Sequence, residues 1–385
     1  MYQPCPFRQG PMIALTWPQV LAFRLTRHHL AKRAPRSRLT QVVGDVCGIH
    51  AQLMSAAELA ICARVDGITR DEIQAALWER RSLVKTWCMR GTLHLLPATE
   101  YPTYVSALRT RTRHRSPAWL KRIGLTLSEM EGIIKGIRAA LDGRTLTRDV
   151  LASAIGRQLG PHVKRRLLWG WGSLLKPAAY QGYLCFGPSR GQNVTFVRPD
   201  QWLGTRRRLD DLDSDATLEA IGRRYLGAYG PATYRDFATW WGGGTGRGQA
   251  KRMMRSLASE IVEVSIEGKP GWMLAKDATQ AKKAAAVETV RLLPHFDGYT
   301  LHFRPREHLV PTRFAARIFR NQGWISPVLL INGMAAGTWE LARTGRNFEV
   351  RLQPFAPLRP AFLRKIREEV DHLAHFLGGR VRVTD

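Results

Sequence analysis

Three times along this chain, a set of amphipathic helical stretches is followed by two short strands joined at a glycine-containing turn, and this recurrence constrains the fold most. In the first set, Thr16 and Gln19 form a capping box with Pro18 in the first turn, opening a helix to about His29. A second helix starts near Leu39, with Val42, Val46, Ile49 and Leu53 along one face. Ser55 with Glu58 and Thr69 with Glu72 supply two further capping boxes, the latter opening a helix that carries Ile73, Leu77 and Trp78. Residues 83–89 and 92–96 then read as strands joined at Arg90-Gly91. Helices followed by a hairpin wing is the winged form of the helix-turn-helix.

The layout recurs with helices from Ser128 and Thr147 and over 164–175, then strands over 183–186 and 194–197. It recurs again with helices from about Ala216, over 233–241 and over about 248–257, then strands over 261–266 and 271–275. The glycine-rich stretch Gly242-Gly243-Gly244-Thr245-Gly246 lacks the Lys-Ser/Thr of a phosphate-binding Walker loop and reads as a flexible turn. From about Val287 the pattern turns to strands, over 290–293, 299–303, 326–331, 335–339 and 347–352, with Asn332-Gly333 a strong hairpin signal. A helix over about 360–376 and a strand over 380–383 close the chain. The expectation is an α+β chain of three tandem winged-helix units (1–124, 125–212 and 213–286) followed by a small β-barrel domain over 287–385.

Charge narrows the partners. Lys plus Arg number 59 against 31 Asp plus Glu, a formal net charge of +28. Such a field favours polyanions, nucleic acid before an anionic membrane. No apolar run is long enough to span a bilayer, and the N-terminus lacks the order of a signal peptide. Cys5, Cys47, Cys62, Cys88 and Cys185 are scattered, without CxxC spacing, and read as reduced thiols of a cytoplasmic, nucleoid-associated protein. No cluster has metal-ligand spacing, and neither a metal nor another cofactor is expected. Arg109, Arg111, Arg113, Arg115, Lys121 and Arg122 form one basic run, and Arg206-Arg207-Arg208 a second. At this net charge both read as phosphate contacts rather than merely solvated faces.

The chemistry-bearing stretch is Gly48-Ile49-His50-Ala51-Gln52-Leu53-Met54. Residues two apart diverge on a helix but share a side in extended chain. The sequence leaves two readings open: the helix runs on to Leu53 with His50 solvated, or it breaks and lets His50 and Gln52 converge. Lys85 offers an amine for Schiff-base chemistry, but it falls on a strand with no base beside it, so a phosphate contact from it and from Arg90 fits better.

Residues 39–104 resemble the first segment of the AlkZ/YcaQ family of bacterial winged-helix DNA glycosylases. The strongest local match is Leu83-Val84-Lys85-Thr86-Trp87-Cys88-Met89-Arg90-Gly91-Thr92-Leu93-His94-Leu95-Leu96-Pro97. Ala228-Tyr229-Gly230-Pro231-Ala232-Thr233, Leu292-Leu293-Pro294-His295-Phe296-Asp297 and Gly323-Trp324-Ile325-Ser326-Pro327-Val328 match in the same order. The resemblance implies tandem winged helices and a C-terminal barrel around a cleft for duplex DNA. The family's catalytic signature, Gln, a small or apolar residue, then Gln or Asp, falls on His50-Ala51-Gln52, with His at the first position. That variant resembles members linked to self-resistance in producers of DNA-alkylating antibiotics. His94 and Asp297 carry over as family positions, as cleft lining or structural hydrogen bonding.

The implied activity is hydrolysis of the N-glycosidic bond of a bulky alkylated purine, foremost an N7-alkylguanine, by a monomer on double-stranded DNA. A cationic alkylpurine is already a good leaving group, so the enzyme need only position water and tolerate an oxocarbenium-like sugar. The Gln52 amide oxygen can accept from that water, and neutral His50 can take its other proton. The alternatives are a winged-helix regulator, which needs neither His50 nor Gln52, and an adduct-sequestering protein without turnover, which only the search for released base separates.

Overall fold

The computed structural model describes residues 12–169, 172–204, 213–242, 246–344 and 347–384. Arg206, Arg207, Arg208, Cys5 and the Gly243–Thr245 part of the glycine stretch lie outside the described residues. The chain forms two compact units, one of residues up to 73, 222–240 and from 247 on, the other of 74–221 and 241–246.

In the first unit the Thr16 capping box is present, with the Thr16 hydroxyl accepting from Gln19 N and the Gln19 side chain accepting from Thr16 N, and it opens the helix Trp17–Arg27. That helix packs against a three-stranded sheet in which Ile13–Leu15 runs parallel to Ile261–Ile266, itself antiparallel to Lys269–Leu274. Val20, Phe23 and Leu25 share one core with Val264, Met273, Leu293, Tyr299, Phe303 and Val328, so the first helix, the third hairpin and the terminal sheet bury apolar area together. The Thr69–Glu72 and Thr233–Asp236 pairs are reciprocal caps, each hydroxyl accepting from the third helical N–H while the carboxylate accepts at the cap. They open Arg70–Trp78 and Tyr234–Trp241. Ser55 does not cap. The helix Met54–Cys62 starts two residues earlier than a Ser55 cap would place it, from an extended Leu53, and Glu58 is turned into the protein to accept from Arg70 Nε at 2.9 Å.

The terminal sheet holds Val290–Leu293, Val328–Ile331, Met334–Thr344, Asn347–Pro354 and Val381–Thr384 in that order. Asn332 and Gly333, at φ +52° and +83°, make the expected tight hairpin. Among the described residues this sheet is open rather than a closed barrel, with Val290–Leu293 and Val381–Thr384 at opposite edges. The reason lies in the last connection. Asn347–Pro354 and Val381–Thr384 pair parallel, which requires a crossover, and the helix Pro360–Leu377 supplies it while packing along both edge strands. The strand expected over 299–303 is instead the helix Gly298–His302. Asp297 caps it, its side chain accepting from Tyr299 N, and this local bond overrides the β-propensity of Tyr-Thr.

In the second unit, Leu83–Trp87 and Leu93–Pro97 form an antiparallel hairpin through Arg90 and Gly91, at φ +54° and +71°. Cys185–Arg190 and Asn193–Val197 form the next hairpin, with Leu146–Thr147 as third strand. The two hairpins share an aromatic core in which Trp87 lies 4.9 Å from Phe186, and Phe186 5.1 Å edge-on to Phe196. The single helix expected over 164–175 is two, Pro161–Leu168 and Lys176–Tyr180. The first ends at an extended Trp169 (φ −86°, ψ 140°), and Gly172 follows at φ +77°, a position where a β-carbon would come within 2.6 Å of the Trp87 ring. Among the described residues no helix is long and apolar enough to cross a membrane.

Candidate functional site

The stretch carrying His50 and Gln52 is a break between helices. Leu39–Asp45 ends where Cys47 and Gly48 take left-handed φ values of +61° and +90°. Gly48 N donates to Val43 O at 2.8 Å and Cys47 N to Gly44 O at 2.9 Å, closing the helix terminus. A cysteine in that conformation is unfavourable, and the surrounding contacts must hold it there. Part of that hold is the Tyr229 hydroxyl, which donates to Val46 O at 3.2 Å. The chain then runs as the short strand Ile49–His50 and stays non-helical to Leu53. Ile49 and Ala51 are buried, His50 is 8% exposed, and Gln52 is exposed.

His50 packs against an aromatic series from elsewhere in the same unit. Its ring lies 5.1 Å from Phe296, tilted by 33°. Phe296 lies 5.1 Å from Trp324, and His295 meets Trp324 edge-on at 5.6 Å. The Phe296 backbone is itself left-handed at φ +58°. The next residue, Asp297, anchors this turn: its carboxylate takes both Arg64 guanidinium nitrogens at 2.7 Å while capping Tyr299. Arg64 also donates to Ala60 O at 2.8 Å, which ties the Phe296 turn to the end of the helix that follows Gln52. Asp297 is therefore a buried anchor of this turn.

His28 lies behind this site, buried, with ring edges toward Tyr229 and Tyr299. Burial, then the Arg64 and Arg24 charges, holds its pKa well below the ordinary 6.5, so it is neutral and donates through Nε2 to Ala228 O.

In the second unit the expected phosphate contacts divide. Arg113, Lys121 and Arg122 are exposed, as is Arg115, which lies 3.8 Å from Glu131. Arg111 is a correction. It is 9% exposed and donates to Trp241 O at 2.8 Å, with Cys88 O and Gly242 O at 3.4 Å, and its charge lies 4.9 Å over the Trp241 ring. A guanidinium committed to backbone carbonyls in a protein interior holds the fold together and is not offered to phosphate. Arg109 is half-buried and donates to Gln181 O at 3.2 Å. Lys85 is half-buried with its ammonium 5.3 Å over Phe186, and Arg90 is half-buried in the hairpin turn. His94 is buried on the second hairpin strand with Nδ1 3.1 Å from Thr92 O. Sequence reasoning passed over Lys164, Arg165 and Arg166, exposed on a short helix without acids, because it placed them on a longer helix. Arg166 lies over Gly124, whose missing β-carbon makes room, just past Lys121 and Arg122.

The described cysteines, Cys47, Cys62, Cys88 and Cys185, are buried thiols, and burial pushes Cys62 and Cys88 up to about 12. No group of three or more His, Cys, Asp or Glu among the described residues is placed to hold a metal ion.

A family model described as "DNA glycosylase AlkZ-like" matches residues 43–376, a span that holds the helix break, the aromatic series and the Arg64–Asp297 anchor. The chain belongs to this family. It is a DNA glycosylase, an enzyme of DNA repair that acts on DNA. The interstrand DNA cross-link repair glycosylase of Streptomyces sahachiroi is similar over 367 residues at 32% identity, which covers 94% of this chain and 97% of that protein. The solved structure of the Streptomyces sahachiroi DNA glycosylase AlkZ is similar with a TM-score of 0.86 over 97% of this chain and 100% of that one, again at 32% identity. In this AlkZ-like glycosylase, Tyr229, His295, Phe296 and Trp324 pack around the candidate site, and the sequence did not single them out. The usable signal was an aromatic residue beside a glycine or an Asp-Gly step, as in Phe296-Asp297-Gly298 and Gly323-Trp324.

Proposed function

We propose that this enzyme is a monofunctional glycosylase that hydrolyses the N-glycosidic bond of bulky alkylated purines, foremost N7-alkylguanine, with His50 and Gln52 as its catalytic residues. The observation that carries this reading is the helix break: the chain leaves helical geometry at Cys47-Gly48 and regains it only at Met54, around His50-Ala51-Gln52. In an extended link side chains two apart share a side, which would bring nearly buried His50 and exposed Gln52 together with buried Ala51 between them. In the reaction the C1′–N bond breaks with its electron pair going to the base, which neutralises the cationic purine. Water oxygen bonds to C1′. Gln52 accepts one water hydrogen through its amide oxygen and turns the same dipole toward the sugar cation, and His50 receives the proton released. No carboxylate is needed, because the positive charge on the base already supplies the leaving-group activation.

Helix sets and hairpins act as three winged-helix modules, over 1–124, 125–212 and 213–286, with the sheet-rich segment 287–385 as a fourth part. The duplex is held by its phosphates through Arg113, Arg115, Lys121 and Arg122, with Lys85, Arg90, Arg109, Arg206 and Arg207 as further contacts. The enzyme works as a monomer in the cytoplasm, at the nucleoid, in alkylation repair or in self-resistance to a DNA-alkylating antibiotic. A relative that bears the name of a cross-link repair glycosylase supports adducts larger than a methyl group. The test is incubation with duplex carrying a bulky N7-guanine adduct, followed by assays for abasic sites and free adduct. Release of both supports the reading; tight binding without either overturns it in favour of sequestration.

A further inference from the structure

The ring series beside His50 ends in a tryptophan that the fold leaves open to solvent. Trp324 is 43% exposed, yet its loop is not loose. Arg320 N donates to Trp324 O at 2.8 Å, Trp324 N to Asn321 O at 3.3 Å, and Ser326 N to Ile318 O at 2.9 Å. The His295 ring nitrogen Nδ1 sits 3.0 Å from Ile325 O, which fastens the loop to the Phe296 turn. Inside that closed loop Gln322 and Gly323 both take positive φ, +57° and +79°, just before Trp324. Two backbone positions that favour neither glutamine nor phenylalanine, at Gln322 and Phe296, are thus held where they set these rings. A tryptophan fixed in this way on Phe296 and His295, with 43% of its surface in water, offers a rigid ring to a planar partner.

We propose that Trp324, backed by Phe296, is a stacking shelf for the alkylated purine and selects it by its positive charge. This rests on the hydrolysis reading above. The series runs from His50 through Phe296 to Trp324, with 5.1 Å between successive ring centres, so a planar base laid on it lies beside the catalytic link. An indole face attracts a cation more strongly than any other side-chain ring, and an N-alkylated purine is a flat cation whereas an undamaged purine is neutral. The shelf therefore favours damaged over normal base without reading a base edge. Hydrolysis removes the attraction, because the electron pair of the broken bond leaves the freed base neutral, and product release follows from the same charge.

The experiment compares wild type, Trp324→Ala and Trp324→Phe. Trp324→Ala is expected to lower kcat/KM for release of N7-methylguanine from duplex by about tenfold, with Trp324→Phe falling between. Affinity for undamaged duplex stays within about twofold. As a binding readout, 7-methylguanosine is expected to quench wild-type tryptophan fluorescence, to quench Trp324→Phe much less, and guanosine to quench neither. Wild-type release rates in Trp324→Ala, or equal binding of guanosine and 7-methylguanosine, would overturn the shelf. Trp324-dependent binding of 7-methylguanosine by an enzyme that releases no alkylpurine would support the shelf while overturning the hydrolysis reading.

Discussion

Arg64 and Asp297 form a two-pronged ion pair with both contacts at 2.7 Å and side chains 1% and 0% exposed. The pair joins the end of the helix after Gln52 to the turn that presents Phe296. Removing one partner leaves a buried charge without compensation, so Arg64→Met or Asp297→Leu alone should destabilise by about 3–5 kcal/mol in chemical denaturation. The double variant should recover most of that loss, since an apolar pair is tolerated where a lone charge is not. Single variants as stable as wild type would show the pair does not hold this turn.

Two arginines of one basic run should behave oppositely. Arg113→Gln removes an exposed charge and should weaken binding to any duplex about equally while flattening the salt dependence, because phosphate contacts carry no sequence information. Arg111→Gln leaves buried carbonyls of Trp241 and Cys88 without their donor and should instead lower stability by about 1–3 kcal/mol. Salt-titrated binding and denaturation midpoints of both variants check the division. A salt slope altered by Arg111→Gln in a fully stable protein would reverse it.

That division also marks how far the sequence could be read. The capping boxes at Thr16 and Thr69 were legible because donor and acceptor lie three residues apart, although Ser55 and Glu58 at the same spacing do not cap, and the Asn332-Gly333 hairpin was legible because only a few residues adopt its backbone. The break around His50 was open in sequence, since Cys47 gives no warning of a left-handed backbone that Tyr229, 183 residues away, helps to hold. Arg111 and Arg113 look alike in a run. Only the carbonyls at the end of a distant helix tell them apart. The barrel expectation failed for a similar reason: five of the six strands read near the C-terminus are present and 299–303 is a helix, but the parallel closing pair and its helical crossover are topology, which strand pattern does not encode.

His28 makes stability sensitive to acid. Its folded-state pKa is depressed below the unfolded value of 6.5, so below that value the unfolded chain takes up a proton that the native chain refuses. The His28 contribution is therefore complete above about pH 6.5 and is lost as pH falls toward the folded value. The loss from this group should grow as pH falls below the unfolded value. His114 and His372, also lowered by burial, add in the same direction. His28→Gln should shrink the pH-dependent drop in unfolding free energy without removing it. An undiminished drop in that variant would place the acid sensitivity elsewhere.

Catalysis and DNA affinity should separate at the helix break. His50→Ala should slow base release, and His50→Gln, which restores the commoner pattern of the family, should keep much of the activity on a small alkylpurine. Both variants are read by single-turnover release, corrected for spontaneous loss of the cationic base.

The central claim is that Gln52 holds the attacking water, and Gln52→Ala tests it most directly. With alkylated duplex and enzyme in excess, the variant should release base about tenfold more slowly or worse, a barrier higher by about 1.4 kcal/mol, while binding undamaged duplex as wild type does. Base release at the wild-type rate by a correctly folded Gln52→Ala enzyme would contradict it.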